Sequence, residues 1–436
     1  MTQVLERENR YHSLFRALED GLAGAEHPWL KKARASALAR FCELGFPGEG
    51  NEDWRFTKTD PIARTAFVPA QGRLSSVAGL GSLLAHGDEA IRLVFIDGRF
   101  SSELSAVSAL PRGVFIGSLA AALKADPARV RALLGAALGG GSAFSALNAA
   151  FFSDGALVDL PAETTLDRPV FLQFVSTAPT VPAMTHVRVV VAAAKGAGAT
   201  IVEEYAAAGD GAYFTNVVSD ITLAENAAVG HYKVQRESEA AFHVSSLSVG
   251  QGRDSRFEAH SFSLGGALVR NDVAVSLDGE GAQCALNGLY LARGAQHMDN
   301  HTLIEHKSPH GTSRELYKGV LDGSARAVFN GMISVSPAAQ KTDAQVYNKN
   351  LLLSEQGLVN TKPEFKINAN DVQCKHGATV GQLSADALFY LRSRGIGREE
   401  SRRLLVYAFA SEMIERAALE PLKEALAATV LERFHD

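Results

Sequence analysis

Cysteine is scarce in this chain. Three residues of 436, Cys42, Cys284 and Cys374, stand far apart and form no CxxC pair. So sparse and odd a set argues against a disulfide framework and for a reducing cytoplasm. It also leaves too few soft ligands for a self-contained zinc or iron–sulfur site, which takes four from one chain. Long apolar runs are missing too: no stretch approaches the roughly 18 residues that span a bilayer. The opening MTQVLERENRYHSLF mixes charges of both signs and has no apolar core before a small-residue cleavage site, so it does not read as a secretory signal. Charge of one sign is lacking as well. With 43 Lys and Arg against 48 Asp and Glu, the net charge of −5 gives no reason to expect nucleic acid as the main partner. No GxxxxGK[ST] or GxGxxG lies between a strand and a helix, so no nucleotide site is expected in this chain. A G-x-S-x-G nucleophile elbow is absent too.

What is present is a repeat. Steps of 28 residues give the columns Val191, Ser219, Leu247, Val275, Leu303 and Ala193, Ile221, Val249, Leu277, Glu305. A third reads Val189, Val217, Ser245, Val273, His301. Within each repeat the apolar residues sit two apart, the period of a strand. Small or polar corners follow, at 196–198, 225–226, 252–254 and 279–281, and then a second strand, at 200–205, 228–233, 256–262 and 283–289. Two short strands with polar corners at a fixed period mark a β-solenoid, whose coils stack about 4.8 Å apart into one core. A β-sandwich with evenly spaced strands is the competing reading, but it has no need to hold one register through five coils. The strands at 311–321, 325–335 and 346–353 continue the pattern with drifting spacing. The fold class expected is mainly β, with an N-terminal helical and mixed region over 1–155, a solenoid over 156–383 and a helical region over 384–436.

The flanks read as helices. Apolar residues three and four apart (Leu14, Leu18, Leu22; Ala35, Leu38, Phe41) place helices at 11–25 and 30–44, separated by Pro28. Cys42 falls in the second, as a small packed hydrophobe. Trp54 is expected to dock this helical segment onto the next domain. Short apolar runs alternate over 60–115, with Ile91–Ile96 before an Asp97-Gly98 turn. Helix is expected over 118–138, interrupted near Asp126-Pro127, then a glycine break at 139–141 and a short helix at 145–152. Near the C-terminus, helices are expected at 385–394, 399–418 and 422–434. The second carries a Leu405, Phe409, Met413 stripe. Such helices either cap the last coil or offer a surface to a partner.

Two clusters could carry chemistry. In His297–His306, a strand would place His297, Asp299 and His301 on one face, a geometry suited to a metal. The 28-residue columns instead point His301 and Glu305 inward, as a polar ladder that satisfies the interior. The second cluster is Asn370 to Gly381, where Cys374 and His376 share a strand face and would suit iron or a borderline metal. Lys375 would favour the thiolate. Two ligands are not a site: another chain completes the pair, or it is incidental. Cys284 lies one residue before the column Ile201, Val229, Phe257, Ala285, which leaves its facing open.

At these residues the chain resembles the SufB/SufD family of iron–sulfur cluster assembly proteins. The stretch Cys374-Lys375-His376-Gly377-Ala378-Thr379-Val380-Gly381, then Leu388 to Ile396, carries the resemblance, as does Asp299-Asn300-His301-Thr302 through His306. Asn51-Glu52-Asp53-Trp54-Arg55-Phe56-Thr57 and Leu147-Asn148-Ala149-Ala150-Phe151 are also similar, so it spans about 50 to 416. The length, the clear N-terminal helices and the few cysteines favour the SufD branch. The resemblance implies a right-handed parallel β-helix between helical domains. It implies a non-catalytic scaffold subunit that pairs with a SufB paralogue and docks the ABC-type ATPase SufC, where the nucleotide is bound. His376, and with a weaker claim Cys374, would be this chain's ligands to iron or a transient cluster shared with SufB. SufC would dock on the C-terminal helices, where Leu405, Phe409 and Met413 lie. A homodimer is a further expectation when the chain is alone. Parallel β-helices also serve as carbohydrate-active enzymes, so a groove using Asp299, His301 and Glu305 is the alternative.

Overall fold

A computed structural model describes residues 2–72, 74, 91–107, 109–135, 138 and 141–434, with side chains from residue 10 onward. The chain is a parallel β-helix with two strands per coil. In the first sheet Asp154–Leu160, Ala183–Ala193, Tyr213–Leu223, Phe242–Gln251, Leu268–Leu277, His297–His306, Arg326–Val335 and Leu358–Ile367 lie side by side. In the second, Ile91–Ile96 and Val170–Ser176 lead into Gly198–Ala207, Ala228–Arg236, Arg256–Ser263, Gln283–Ala292, Thr312–Leu321, Thr342–Leu352 and Val372–Gln382. Antiparallel strands close the N-terminal end of each sheet, Phe115–Ser118 on one and Arg99–Phe100 on the other.

The solenoid expected from the repeat is present, but its period is not fixed. Hydrogen-bonded register runs Val191, Ile221, Val249, Val275, Ile304, Ile333, so successive coils advance 30, 28, 26, 29 and 29 residues. The 28-residue columns therefore drift: Ser219 lies beside Val189, not Val191, on the same face, and the 29-residue step then places Thr302 rather than His301 beside Val273. The coils turn at one shared corner, built by Gly196, Asn226, Asp254, Gly281, His310 and Lys341 at φ between 52° and 73°. Each corner N–H donates to a carbonyl of the next corner, as Gly196 does to Glu225 and Asn226 to Arg253.

Helices cover both sheets from outside. On the first sheet, Pro28–Leu44 and Ala143–Phe151 bury Leu38, Phe41, Phe144 and Leu147 against Met184, Val190 and Phe214. Trp54 is buried against Phe144, with ring centroids 5.2 Å apart, as the docking role required. On the second sheet, Arg398–Ile414 and Glu420–Arg433 bury Val406, Ala410, Met413, Leu422 and Leu426 against Val234, Leu289 and Val320. Each large side chain so buried contributes roughly 1.5–3 kcal/mol. The remaining expected elements fall at Thr2–Leu18, Leu119–Ala125, Pro127–Leu134 and Ala385–Ser393. The short apolar runs over 75–90 and, apart from Gly141, the glycine break at 139–141 lie outside the described residues.

Candidate functional site

The solenoid has an open C-terminal end. Val372–Gln382 pairs with Thr342–Leu352 on one side and with no described strand on the other. Leu358–Ile367 likewise ends the first sheet. Among the described residues no further coil covers the inward-facing rows of these two strands, so Ile367 and Val380 are exposed and Val359, Phe365 and Val372 are only partly buried against the core.

Cys374 and His376 occupy this mouth. Cys374 lies beside Ala344 and His376 beside Val346, both core residues, so the two side chains share the inward row. Cys374 is half-buried and His376 exposed. The His376 ring lies flat on Phe365, centroids 4.7 Å apart and planes 11° apart. Its nitrogens have no hydrogen-bond partner among the described residues. Lys375 is exposed and does not lower the thiol. Burial, then the Asp343 carboxylate, hold the Cys374 thiol above its ordinary range, against a backbone hydrogen bond that lowers it. Among the described residues no group of three or more His, Cys, Asp and Glu is arranged to hold a metal ion.

The His297–His306 strand has a different role. His297, Asp299 and His301 do share a face, but it is the outer one. Met298, Asn300, Thr302, Ile304 and His306 point inward, and Glu305 is 43% exposed. The inward orientation expected for His301 and Glu305 is thus corrected, because the unequal coil lengths shift the register. The Asn51–Thr57 segment crosses this face as a strap. Thr57 Oγ1 donates to Asp299 Oδ2 at 2.5 Å and accepts from His297 Nε2 at 2.9 Å. Arg270 reaches the same Asp299 oxygen at 2.5 Å, the Asp53 carbonyl at 2.8 Å and Asp272 at 2.6 Å, and it stacks 4.4 Å from the Trp54 ring. His301 Nε2 lies 3.1 Å from Asp299 Oδ1. Burial alone would raise the Asp299 pKa. Arg270, with hydrogen bonds from His301 and Thr57, outweighs it and holds the carboxyl well below the usual range. The strap therefore covers Asp299, which is fully buried, and the cluster clasps the Asn51–Thr57 segment to the solenoid.

Sequence reasoning missed a polar belt inside the lumen. His231 Nε2 meets Glu203 at 3.0 Å, His243 Nδ1 meets Glu237 at 2.6 Å, and Lys233 donates to Asn271 at 2.6 Å. Glu315 accepts from Thr302 at 2.7 Å, and burial pushes its carboxyl up to about 8. The signal was present as alternation: His231 occupies a position held by Ile201 and Ala259 in the neighbouring coils, and Lys233, two residues on in the same row, lies between Glu203 and Ser261. The open question on Cys284 resolves inward. It stacks on Phe257 and is 3% exposed.

On the C-terminal helices, Met413 is 1% exposed and packed on the second sheet, while Leu405 and Phe409 are half-buried. The exposed large apolar side chains here are Leu404, Leu431 and, on the Ala385–Ser393 helix, Phe389 at 74% and Tyr390 at 57%.

The architecture is that of a parallel β-helix with helical outer layers and a thiol–imidazole pair at its open end. Residues 174–409 match the family described as SUF system FeS cluster assembly, SufBD core domain, and residues 5–172 match the SufBD protein N-terminal region. The chain is 36% identical over 414 residues to an iron–sulfur cluster assembly SufBD family protein of Synechocystis sp., covering 93% of this chain and 91% of that one. It is 32% identical over 399 residues to the iron–sulfur cluster assembly protein SufD of Escherichia coli, covering 91% of each. The Bacillus subtilis SufD is 29% identical over 292 residues, 66% of each. The chain belongs to the SufB/SufD family of the Suf iron–sulfur cluster assembly system. No helix among the described residues is long and apolar enough to cross a membrane.

Proposed function

We propose that the chain is a cytoplasmic, non-catalytic scaffold subunit that pairs with a SufB paralogue and docks the ATPase SufC. The observation that carries this reading is the Cys374–His376 pair at the open solenoid mouth: two donors on one row, with the adjoining strand edge unpaired. An unpaired edge is a template for another chain's strand. Pairing there would bring the paralogue's ligands to His376 and Cys374, so that iron or a nascent cluster, the cargo of assembly, is held between subunits. SufC docks on the C-terminal helices in this reading. Phe389, Tyr390 and Leu404 offer exposed apolar contact, Leu405 and Phe409 form its rim, and Met413 fixes the helix to the solenoid from beneath. ATP hydrolysis then belongs to SufC. Family membership supports this reading over the carbohydrate-enzyme alternative, for which the covered Asp299 offers no groove.

The test is His376→Ala in the assembled complex. Folding and recovery with the paralogue and SufC should be unchanged, while maturation of iron–sulfur client enzymes falls. Normal client maturation by the variant would remove the ligand role, and recovery of the tagged wild-type chain without either partner would remove the scaffold reading.

A further inference from the structure

The outer face of the first sheet carries a pocket that the scaffold reading does not use. Apolar contacts from the N-terminal helices reach along this sheet as far as Leu268. On the strands beyond, the Asn51–Thr57 strap lies against the sheet and bounds a cavity of about 290 Å³, close to the lower end of the range for small-ligand pockets. His301, Asn330 and Asn360 line it from three neighbouring strands, with Asp53 and Arg55 on the strap. His301 lies beside Asn330 in register, and Asn360 beside Val328, two residues before Asn330, so the three share the outward face. Asp299 is not part of the lining.

These lining groups share acceptor capacity without donors to fill it. Asn330 Oδ1 is buried and has no hydrogen-bond partner among the described residues. His301 Nε2 faces the Asp299 carboxylate at 3.1 Å, which holds the ring proton on Nε2 and leaves Nδ1 as an acceptor. The Asn360 carboxamide and the Asp53 carboxylate likewise make no hydrogen bond or ion pair among the described residues. The cations of the lining are engaged elsewhere: Lys362 lies 3.0 Å from Glu364 and 3.4 Å from Glu52, and the Arg55 guanidinium sits 5.6 Å from the centre of the Phe56 ring. A buried acceptor left without a donor costs free energy that a ligand's N–H recovers. Acceptors spread over strands roughly 4.8 Å apart suit the flat fork of a guanidinium, with its five N–H donors, better than the point charge of an ammonium. Asp53 at the rim supplies the opposite charge, and a charge-assisted bond there is the strong kind.

We propose that the pocket between the strap and the first sheet binds a guanidinium group, which donates to Asn330 Oδ1, His301 Nδ1 and the Asp53 carboxylate, with the Asn360 carboxamide as a further acceptor. The site is independent of the solenoid mouth and of the C-terminal helices. A free arginine-like molecule and an arginine side chain of another protein both carry the group, and blocked and unblocked probes separate them.

The test uses the full chain labelled with ¹³C at the histidine ring carbons, the His301 resonance being assigned by its loss in His301→Gln. The probes are N-acetyl-arginine methylamide, its citrulline counterpart, which keeps the shape without the charge, and free L-arginine. The expected result is a saturable shift of the His301 resonance with the arginine amide and binding at least tenfold weaker for the citrulline amide, the factor that one charge-assisted hydrogen bond is worth. Asn330→Leu and Asp53→Ala should each weaken the arginine amide about tenfold or more, while Arg55→Ala, which removes a competing cation, binds it at least as well as wild type. Asp53 is exposed, so its variant carries the test even where Asn330→Leu fails to fold. Blocked amide bound as tightly as free arginine assigns the site to a protein side chain, and tighter binding of free arginine assigns it to a small molecule. Equal binding of the citrulline and arginine amides, unchanged binding by Asp53→Ala, or no saturable shift of His301 with either arginine probe would each overturn the proposal. None of these outcomes touches the scaffold reading, which is tested by co-purification.

Discussion

At the scale of single residues, this fold spends its buried charge in two ways. Asp299 and Arg270 show the first: a buried carboxylate whose Oδ2 is bonded by a guanidinium and a hydroxyl, with the His301 imidazole 3.1 Å from Oδ1, so that ionisation persists despite burial. Removing one partner of such a pair is costly because it leaves the other uncompensated. Glu315 shows the second. One hydrogen bond from Thr302 does not offset its burial, and its other oxygen has no partner among the described residues. Its pKa is raised from an ordinary 4.5 to about 8, so the folded protein holds a proton that the unfolded chain releases. Stability at this residue is therefore fully present below the unfolded value and declines as pH rises, until the folded carboxyl titrates near pH 8. Above that the loss is complete, at a few kcal/mol. Glu315→Gln should flatten this part of the profile and be the more stable protein at pH 8.5. Urea unfolding of both proteins at pH 5 and pH 8.5 measures it, and a parallel pair of profiles would show that Glu315 does not carry the proton.

At the scale of elements, the coil is an alternation of inward and outward residues whose corners differ in length. The strands and their order were legible because alternation survives a change of corner length. The facing of particular residues was not, because the 29-residue step from Val275 to Ile304 carries a fixed 28-residue column across to the opposite face. That is why His301 and Glu305 were expected inside. Cys374 and His376 were legible as a same-face pair because their relation is local, two residues apart. Arg270 was not legible as the partner of the strap, since Asp53 lies 217 residues away and no local period links them. The lumen shows a related constraint. Gly288 sits beneath the Tyr317 ring and Gly319 beneath the Tyr290 ring, where an added Cβ would fall 2.2 Å and 2.0 Å from ring atoms. Tyr290 in turn donates to Asn350 at 2.5 Å. Gly319→Ala should push the Tyr290 ring aside and break this bond, an overpacking cost of about 1–3 kcal/mol. Chemical denaturation and the near-ultraviolet tyrosine signal read it out. A variant as stable as wild type would mean the ring relaxes without cost.

At the scale of the whole molecule, two helical layers clasp one solenoid, and the layers treat their apolar residues differently. The C-terminal Arg398–Ile414 helix turns Met413 and Val406 into the second sheet, and Lys318 reaches out from that sheet to Glu412 at 2.6 Å. Lys318 also donates to the Phe409 carbonyl at 2.8 Å. The neighbouring Ala385–Ser393 helix buries nothing, yet it keeps Phe389 and Tyr390 in water. A chain that stabilised itself with these rings would have buried them, so their use lies outside the fold. The two helices should therefore respond in opposite ways to truncation. Met413→Ala should lower unfolding stability by about 2–5 kcal/mol through the cavity it leaves. Phe389→Ala should change stability by less than about 0.5 kcal/mol, as for an exposed surface residue. The order reverses when capture of the purified ATPase is measured at a temperature where both variants are folded. Phe389→Ala should weaken capture at least tenfold, whereas Met413→Ala should retain it so long as its helix stays docked. Equal capture by Phe389→Ala and wild type would move the docking face off this helix, toward Leu405 and Phe409 on the side of the next.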